Sequence, residues 1–341
     1  MASVRRGPGF RLPAVLTEAM EGNAEVELHS KPPAVGGITQ VSDREFARFQ
    51  ALIYRETGIY LSPAKRTLLA GRLCKRLRTL NLACFKDYYE LVENDLAEKE
   101  QMINCICTNE THFFREKRHF GFLESRVFPG WKALASEGRR SRCVRVWSAG
   151  CSTGEEPYSL AMFLLDHFSI GNWEIEVVAS DISTRVLARA EAGMWPISKL
   201  AELPEHYVTR YMLKGTGKYA GLMKASPELR SRIRFQRLNL NTDVYPYGRF
   251  DLVFCCNVLI YFNADSKKRV LDRMVGHLGP AGYLMLGHAE TLNGITDRLR
   301  TVAPTIYTSY TNAAQNNVLK PRALGIAPWA EPASLQCSEQ P

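Results

Sequence analysis

No apolar run in this sequence approaches the ~18–20 residues needed to span a bilayer. The longest, around Asp251–Phe262, is broken by Asn257, so a membrane-spanning helix is excluded. The opening MASVRRGPGFRLPAV contains no secretory apolar core, and the expectation is a cytoplasmic protein with no direct membrane insertion. Cys-x-x-Cys pairs are missing too. The nine cysteines are odd in number, and neither Cys105-Ile-Cys107 nor Cys255-Cys256 has a His or Cys partner at metal-ligand spacing. Reduced, packed thiols are expected, without a zinc site or a disulfide framework. The dinucleotide fingerprint G-x-G-x-x-G is also lacking.

What remains is ordinary globular composition, 45% hydrophobic and 23% charged, in 341 residues, room for about two domains plus tails. The net charge of +9 fits nucleic acid or an acidic protein surface as partner.

The chain is organised around VRVWSAGCSTGEEPYSLAM, Val144–Met162. Alternating β-branched and aromatic residues predict a buried strand. The small residues Ser148 to Gly154 allow close backbone approach to a ligand. Glu155, Glu156 and Pro157 then open a helix. Strand, glycine loop and helix form the first turn of a nucleotide-type fold. Acids stand where a pyrophosphate would be repelled, which favours a nucleoside ligand without phosphates. S-adenosylmethionine fits, since its sulfonium, ammonium and ribose hydroxyls all take carboxylate partners. The alternative is a plain turn whose acids cap the helix.

Along the chain, residues 1–36 lack periodicity and read as a disordered tail. Residues 37–107 read as a helical domain. Ser42 and Glu45 form a capping box, and Phe46, Phe49, Ile53 and Tyr54 make a stripe ending before Gly58. The next helix, 62–80, carries Lys65, Arg66, Arg72, Lys75, Arg76 and Arg78 with no acid, around a buried stripe of Leu68, Leu69, Leu73, Leu77 and Leu80. That face is either simply solvated or docks an acidic partner. Residues 108–136 read as a linker, TNETHFFRE, and a connecting helix; its hydrogen-bonding residues suit a cleft wall, while His112 reads as an ordinary histidine. Residues 137–311 read as the α/β domain. Its second strand ends at Asp181, a ribose ligand or a helix cap, 31 residues beyond Gly150. Alternation fails over about 194–232, read as an inserted β-subdomain, and resumes with strands 233–238, 250–256, 282–286 and 305–310. Residues 312–341 read as a second disordered tail.

Five segments in this order, TNETHFFRE (108–116), WSAGCSTGEEPYSLAM (147–162), ASDIS (179–183), RFQRLNL (234–240) and FCCNVLIYF (254–262), resemble the CheR family, the S-adenosylmethionine-dependent glutamate O-methyltransferases of chemotaxis receptors. The likeness spans residues 38–311. It implies a Rossmann-like methyltransferase domain with a small inserted β-subdomain, preceded by an all-α domain, and S-adenosylhomocysteine as product. It further implies that Asn109, Thr111 and Arg115 line the cofactor site, with Arg115 nearest the methyl group. Glu155 would meet the cofactor, Asp181 its ribose, Asn239 and Leu240 its adenine side, and Asn257 its methionine moiety. Arg115 and Tyr261 would position the substrate carboxylate, and Arg72, Lys75, Arg76 and Arg78 would dock glutamate-rich receptor helices. Cys256 departs from the family, which commonly has Arg there, so only a backbone contact to cofactor is expected from it. The expected partner is thus a receptor and not nucleic acid, and the chain is read as a monomer. A non-catalytic adenosyl-ligand sensor and an RNA or small-molecule methyltransferase are the alternatives.

Overall fold

The computed structural model describes residues 40–310 apart from 242–243 and 293; the tails expected at 1–36 and 312–341 lie outside the described residues. Four helices come first: α1 (Asp43–Thr57), α2 (Arg66–Thr79), α3 (Phe85–Asn94) and α4 (Leu96–Ile106). The capping box forms, with Ser42 Oγ accepting from Glu45 N–H and the Glu45 carboxylate accepting from Ser42 N–H. Gly58 ends α1 at φ +74°, a conformation that needs no Cβ. Phe46, Phe49, Ile53, Leu73, Leu77, Phe85, Tyr88 and Met102 fill a core of their own.

The structure corrects the reading of α2. Leu68 is 43% exposed, because Leu69, Ala70, Leu73, Cys74 and Leu77 already complete the core-facing stripe. Nor are the cations all directed to solvent. Arg76 forks onto Glu98 of α4 at 2.7 and 2.5 Å, Arg66 pairs with Asp43, and Arg72 donates to Ile106 O and Thr108 Oγ1. The acids absent from α2 are supplied by neighbouring helices. Of the four expected docking residues, only Lys75 and Arg78 are exposed.

A linker leads to α5 (Lys117–Phe122) and α6 (Phe128–Ser136), joined by a π-turn, Leu123–Val127, just before Pro129, which has no N–H for a regular helical rung. There follow β1 (Cys143–Ala149), α7 (Glu155–His167), β2 (Glu174–Asp181) and α8 (Thr184–Ala192). The inserted segment contains β3 (Met194–Pro196), α9 (Glu205–Tyr211), β4 (Met212–Lys214) and β5 (Leu222–Ala225), an antiparallel sheet of order β3-β5-β4. After α10 (Pro227–Arg230) come β6 (Ile233–Arg237), β7 (Phe250–Cys255), α11 (Ala264–Gly276), β8 (Leu278–Leu286), β9 (Leu299–Ala303) and β10 (Ile306–Ser309).

The main sheet runs β6-β2-β1-β7-β8-β10-β9. Strands β6 to β8 are parallel; β10 runs antiparallel to β8 and β9. β8 starts earlier than Gly282, since a register shift and Ala281 at φ +61° absorb Pro280. Apolar clusters cover both faces of the sheet. On one face Trp147 is enclosed by Tyr245, Tyr247 and Phe250, its Nε1–H donating to Ser180 Oγ at 2.9 Å. The order reverses at β1, from which the chain goes first to β2 and later to β7, so a crevice opens at the carboxyl ends of these strands. The helical domain closes over it through polar contacts: Asn104 accepts from Ser183 Oγ at 2.7 Å, Asn239 Nδ2 donates to Glu56 O at 2.6 Å, and Tyr54 Oη meets Asn263 and Ser266.

Glu98 is 5% exposed, so Arg76→Ala strands a buried carboxylate and should cost about 3–5 kcal/mol in urea unfolding. Arg78→Ala should stay within about 0.5 kcal/mol. Equal effects of the two would refute the structural role of Arg76.

Candidate functional site

The crevice is a cleft of about 260 Å³ between the helical domain and the carboxyl ends of the strands. At the end of β1 the chain turns at Gly150, φ +85°, where a Cβ would lie 2.4 Å from Val258 Cγ2. Only glycine lets these two loops touch. The N–H groups of Gly150 and Cys151 both donate to Ser180 O, at 2.8 and 2.9 Å. Asp181 is buried next to them and accepts Ser152 N–H on one oxygen and Ser183 N–H on the other, each at 2.9 Å. Burial raises its pKa while these N–H groups lower it. Each oxygen keeps a lone pair for a further donor, an arrangement suited to a vicinal diol.

The linker forms the next wall. Ser152 Oγ donates to Asn109 O at 2.9 Å. Phe113 meets Trp195 edge-on at 5.1 Å, and Phe114 stacks on Tyr207 at 5.2 Å. These buried rings anchor the linker to the insert and leave Asn109, Thr111 and Arg115 on the cleft. Arg115 Nη1 donates to Glu110 O at 3.1 Å.

The third wall follows β7. Asn257 sits at φ +59°, a left-handed conformation that Asn tolerates. Buried Glu290 holds it there, accepting N–H from Asn257, Gly287 and Ile260 at 2.7, 2.7 and 3.2 Å. Tyr261 follows on a short 3₁₀ turn, with Lys65 Nζ 5.8 Å above its ring. Cys256 lines the same wall, its thiol directed to Met285 O at 3.8 Å.

Of the expected site residues, Asn109, Thr111, Arg115, Asp181, Asn239, Leu240, Cys256, Asn257 and Tyr261 all line this one cleft. The side chain of Asn239 is already used, accepting from Asn241 N–H and donating to Glu56 O. Arg72 is a wall residue, while Lys75, Arg76 and Arg78 lie off the cleft. Glu155 must be corrected. It faces away, buried against Lys199 Nζ at 2.8 Å and Thr153 Oγ1 at 2.6 Å. Of this pair, the acid on the cleft is Glu156, one helical position and about 100° further round. Its Oε1 accepts from Ser148 Oγ at 2.6 Å, and burial pushes its pKa up to about 7. Sequence periodicity could not rank the two acids, because α7 is buried on nearly every face.

Two further atoms characterise the ligand. Asn109 Oδ1 and Asn257 Oδ1 are buried without a hydrogen-bond donor, a costly arrangement unless a ligand donates. Two amide acceptors, Asp181 and Glu156 on one cleft call for a ligand with hydroxyl and cationic donors. The residues therefore fit S-adenosylmethionine.

Comparison with known proteins agrees. Residues 44–107 match the CheR methyltransferase, all-alpha domain, and residues 109–308 the CheR methyltransferase, SAM binding domain. The chain is 39% identical over 270 residues to the chemotaxis protein methyltransferase of Escherichia coli, covering 78% of this chain and 91% of that protein. It is 37% identical over 264 residues to chemotaxis protein methyltransferase 2 of Pseudomonas aeruginosa, covering 77% and 92%. A Borreliella burgdorferi chemotaxis protein methyltransferase is 32% identical over 274 residues, covering 78% and 94%. With these matches lying end to end across a bundle and a sheet whose shared cleft suits the methyl donor, the chain belongs to the CheR family of S-adenosylmethionine-dependent methyltransferases.

Proposed function

We propose that the chain methylates glutamate side chains on the cytoplasmic helices of chemotaxis receptors, producing glutamate methyl esters and S-adenosylhomocysteine. One observation carries this reading: Arg115 and Tyr261, from different segments of the chain, line the same cleft as Asp181, Glu156 and the two unpartnered amide oxygens. The names of the relatives, all chemotaxis protein methyltransferases, support the receptor as acceptor.

The bound cofactor supplies an electrophilic methyl group on a sulfonium; the rest is positioning by the protein. Asp181 takes the ribose, Glu156, Asn109, Thr111 and Asn257 hold the amino-acid end, and Asn239 and Leu240 flank the base. Cys256 offers no cation, so its contact is through the backbone. A glutamate substrate is already ionised near pH 7, and no general base is required. Arg115 and Tyr261 orient that carboxylate, the guanidinium by its fixed fork of donors. The roof of α1 and α2 excludes water, whose hydration of the carboxylate opposes attack. Lys75 and Arg78, exposed on α2, offer positive charge to an acidic receptor helix.

Label transferred from methyl-labelled S-adenosylmethionine to a receptor cytoplasmic fragment should be released by mild alkali, as a carboxyl ester is. Alkali-stable label would move the acceptor to nitrogen or another atom, and donor binding without transfer would favour a sensor. Arg115→Ala should lower turnover at least about a hundredfold with cofactor affinity changed less than about threefold; equal losses would remove its orienting role. Reversing Lys75 and Arg78 to Glu should slow receptor methylation several-fold at low salt and little at high salt. An unchanged rate at low salt would exclude docking through these residues.

A further inference from the structure

Strand β6 closes the main sheet on one side, with β2 as its neighbour. Its outer edge is open. Val177 N–H donates to Arg232 O and Leu238 N–H to Asp181 O, each at 2.9 Å, so the even-numbered residues here turn their backbone groups to β2. Along a parallel strand the two backbone groups of a residue share a side, and the side alternates from one residue to the next. Ile233, Phe235 and Arg237 therefore present theirs outward, where among the described residues they have no hydrogen-bond partner. No residue of β6 is buried. None lines the cofactor cleft, and the edge belongs to the main sheet, not to the three-stranded sheet of the insert.

The two faces beside this edge differ. Toward α7 and α8, half-buried Ile233 and Phe235 pack on the core, with the Phe235 ring 6.0 Å from that of Tyr158. By alternation Arg232 and Arg234 stand on the other face, and Arg237 is exposed at the end of the strand. These arginines are short of acids. Among the described residues no carboxylate comes within 4.0 Å of Arg232 or Arg237. Glu176, 3.8 Å from Arg234, is already held by Arg145 at 2.6 Å. An unpaired edge is a template for strand addition, and charge decides which strand can add. A second copy is rejected, because pairing two such edges sets arginines against arginines. A phosphodiester backbone would meet the guanidinium groups but has no donor for the outward C=O groups.

We propose that the β6 edge docks an extended segment of a partner protein in which acidic and apolar residues alternate. The backbone of that segment completes the ladder at Ile233, Phe235 and Arg237. Its acids meet Arg232 and Arg234 on one face, and its apolar residues lie beside Ile233 and Phe235 on the other. Main-chain bonds supply the affinity, and the arginines select the sign of the charge.

The probe is a fluorescent peptide of alternating Glu and Val, titrated with the full chain and followed by anisotropy. Two further peptides carry N-methyl groups on every second residue, one on the Glu positions and one on the Val positions. Only one set of N–H groups can face the edge. One methylated peptide should therefore lose at least about tenfold in affinity while the other stays within about threefold. Equal behaviour of the two overturns the proposal, and so does equal binding of a peptide with the same residues in two blocks. Arg234→Glu should weaken the Glu-Val peptide on the order of tenfold at low salt and less at high salt, and should gain binding to a Lys-Val peptide. Retained binding of S-adenosylmethionine checks that this variant is folded. Absence of binding by the Glu-Val peptide overturns the proposal. A single-stranded oligonucleotide that displaces the peptide and binds more tightly would give the edge to nucleic acid, and a dimer broken by Arg234→Glu would give it to a second copy; either outcome also overturns it.

Discussion

The position of one ammonium group holds the cleft together. Lys199, from the inserted segment, reaches Thr111 O at 3.0 Å, Glu155 at 2.8 Å and Glu202 at 3.4 Å. It thereby ties the linker, the N-terminus of α7 and the insert to one another. Glu155 is almost wholly enclosed there, and a buried carboxylate is tolerable only with such a partner. The backbone of Thr111 is fixed as a consequence, and Asn109 and Arg115 to either side of it take their places on the wall. The insert thus acts on the site without lining it.

A second constraint is steric. The glycine loop and the segment after β7 meet where Gly150 lacks a Cβ, and Asn257 accepts a left-handed backbone so that Glu290 can collect three N–H groups. The acceptors in the cleft are therefore carried by loops pinned from behind by buried acids. Preorganisation of this kind spares the protein the cost of ordering loops when a ligand binds.

How much of this could be read from the sequence depended on whether the governing interaction was local. The capping box of α1, the strand–loop–helix around Gly150 and the acid closing β2 are set by residues a few positions apart, and their patterns were visible. Asp181 and Asn257 could be placed because ligands gather at strand carboxyl ends. The sequence pattern pointed to Glu155, but which of Glu155 and Glu156 faces the cleft is decided by Lys199, far along the chain on a 3₁₀ turn of the insert. The cations of α2 misled for the same reason: Glu98 and Asp43, which neutralise Arg76 and Arg66, lie on other helices. β9 was missed because LRTVA does not alternate: its apolar residues stand at Leu299, Val302 and Ala303, and only Leu299 is buried.

The seam between roof and sheet differs in kind from the seam between linker and insert. Phe113 and Phe114 weld the latter with buried rings, whereas much of the former consists of amide, hydroxyl and carbonyl contacts, among them Asn239 to Glu56, Tyr54 to Asn263 and Asn104 to Ser183. Water can replace such contacts at a net cost near 1 kcal/mol apiece, while parting the rings would expose apolar surface. The molecule is thus a box with a welded floor and a latched lid. Raising the bundle to exchange spent cofactor for fresh would leave both apolar cores largely intact, so turnover need not compete with folding stability.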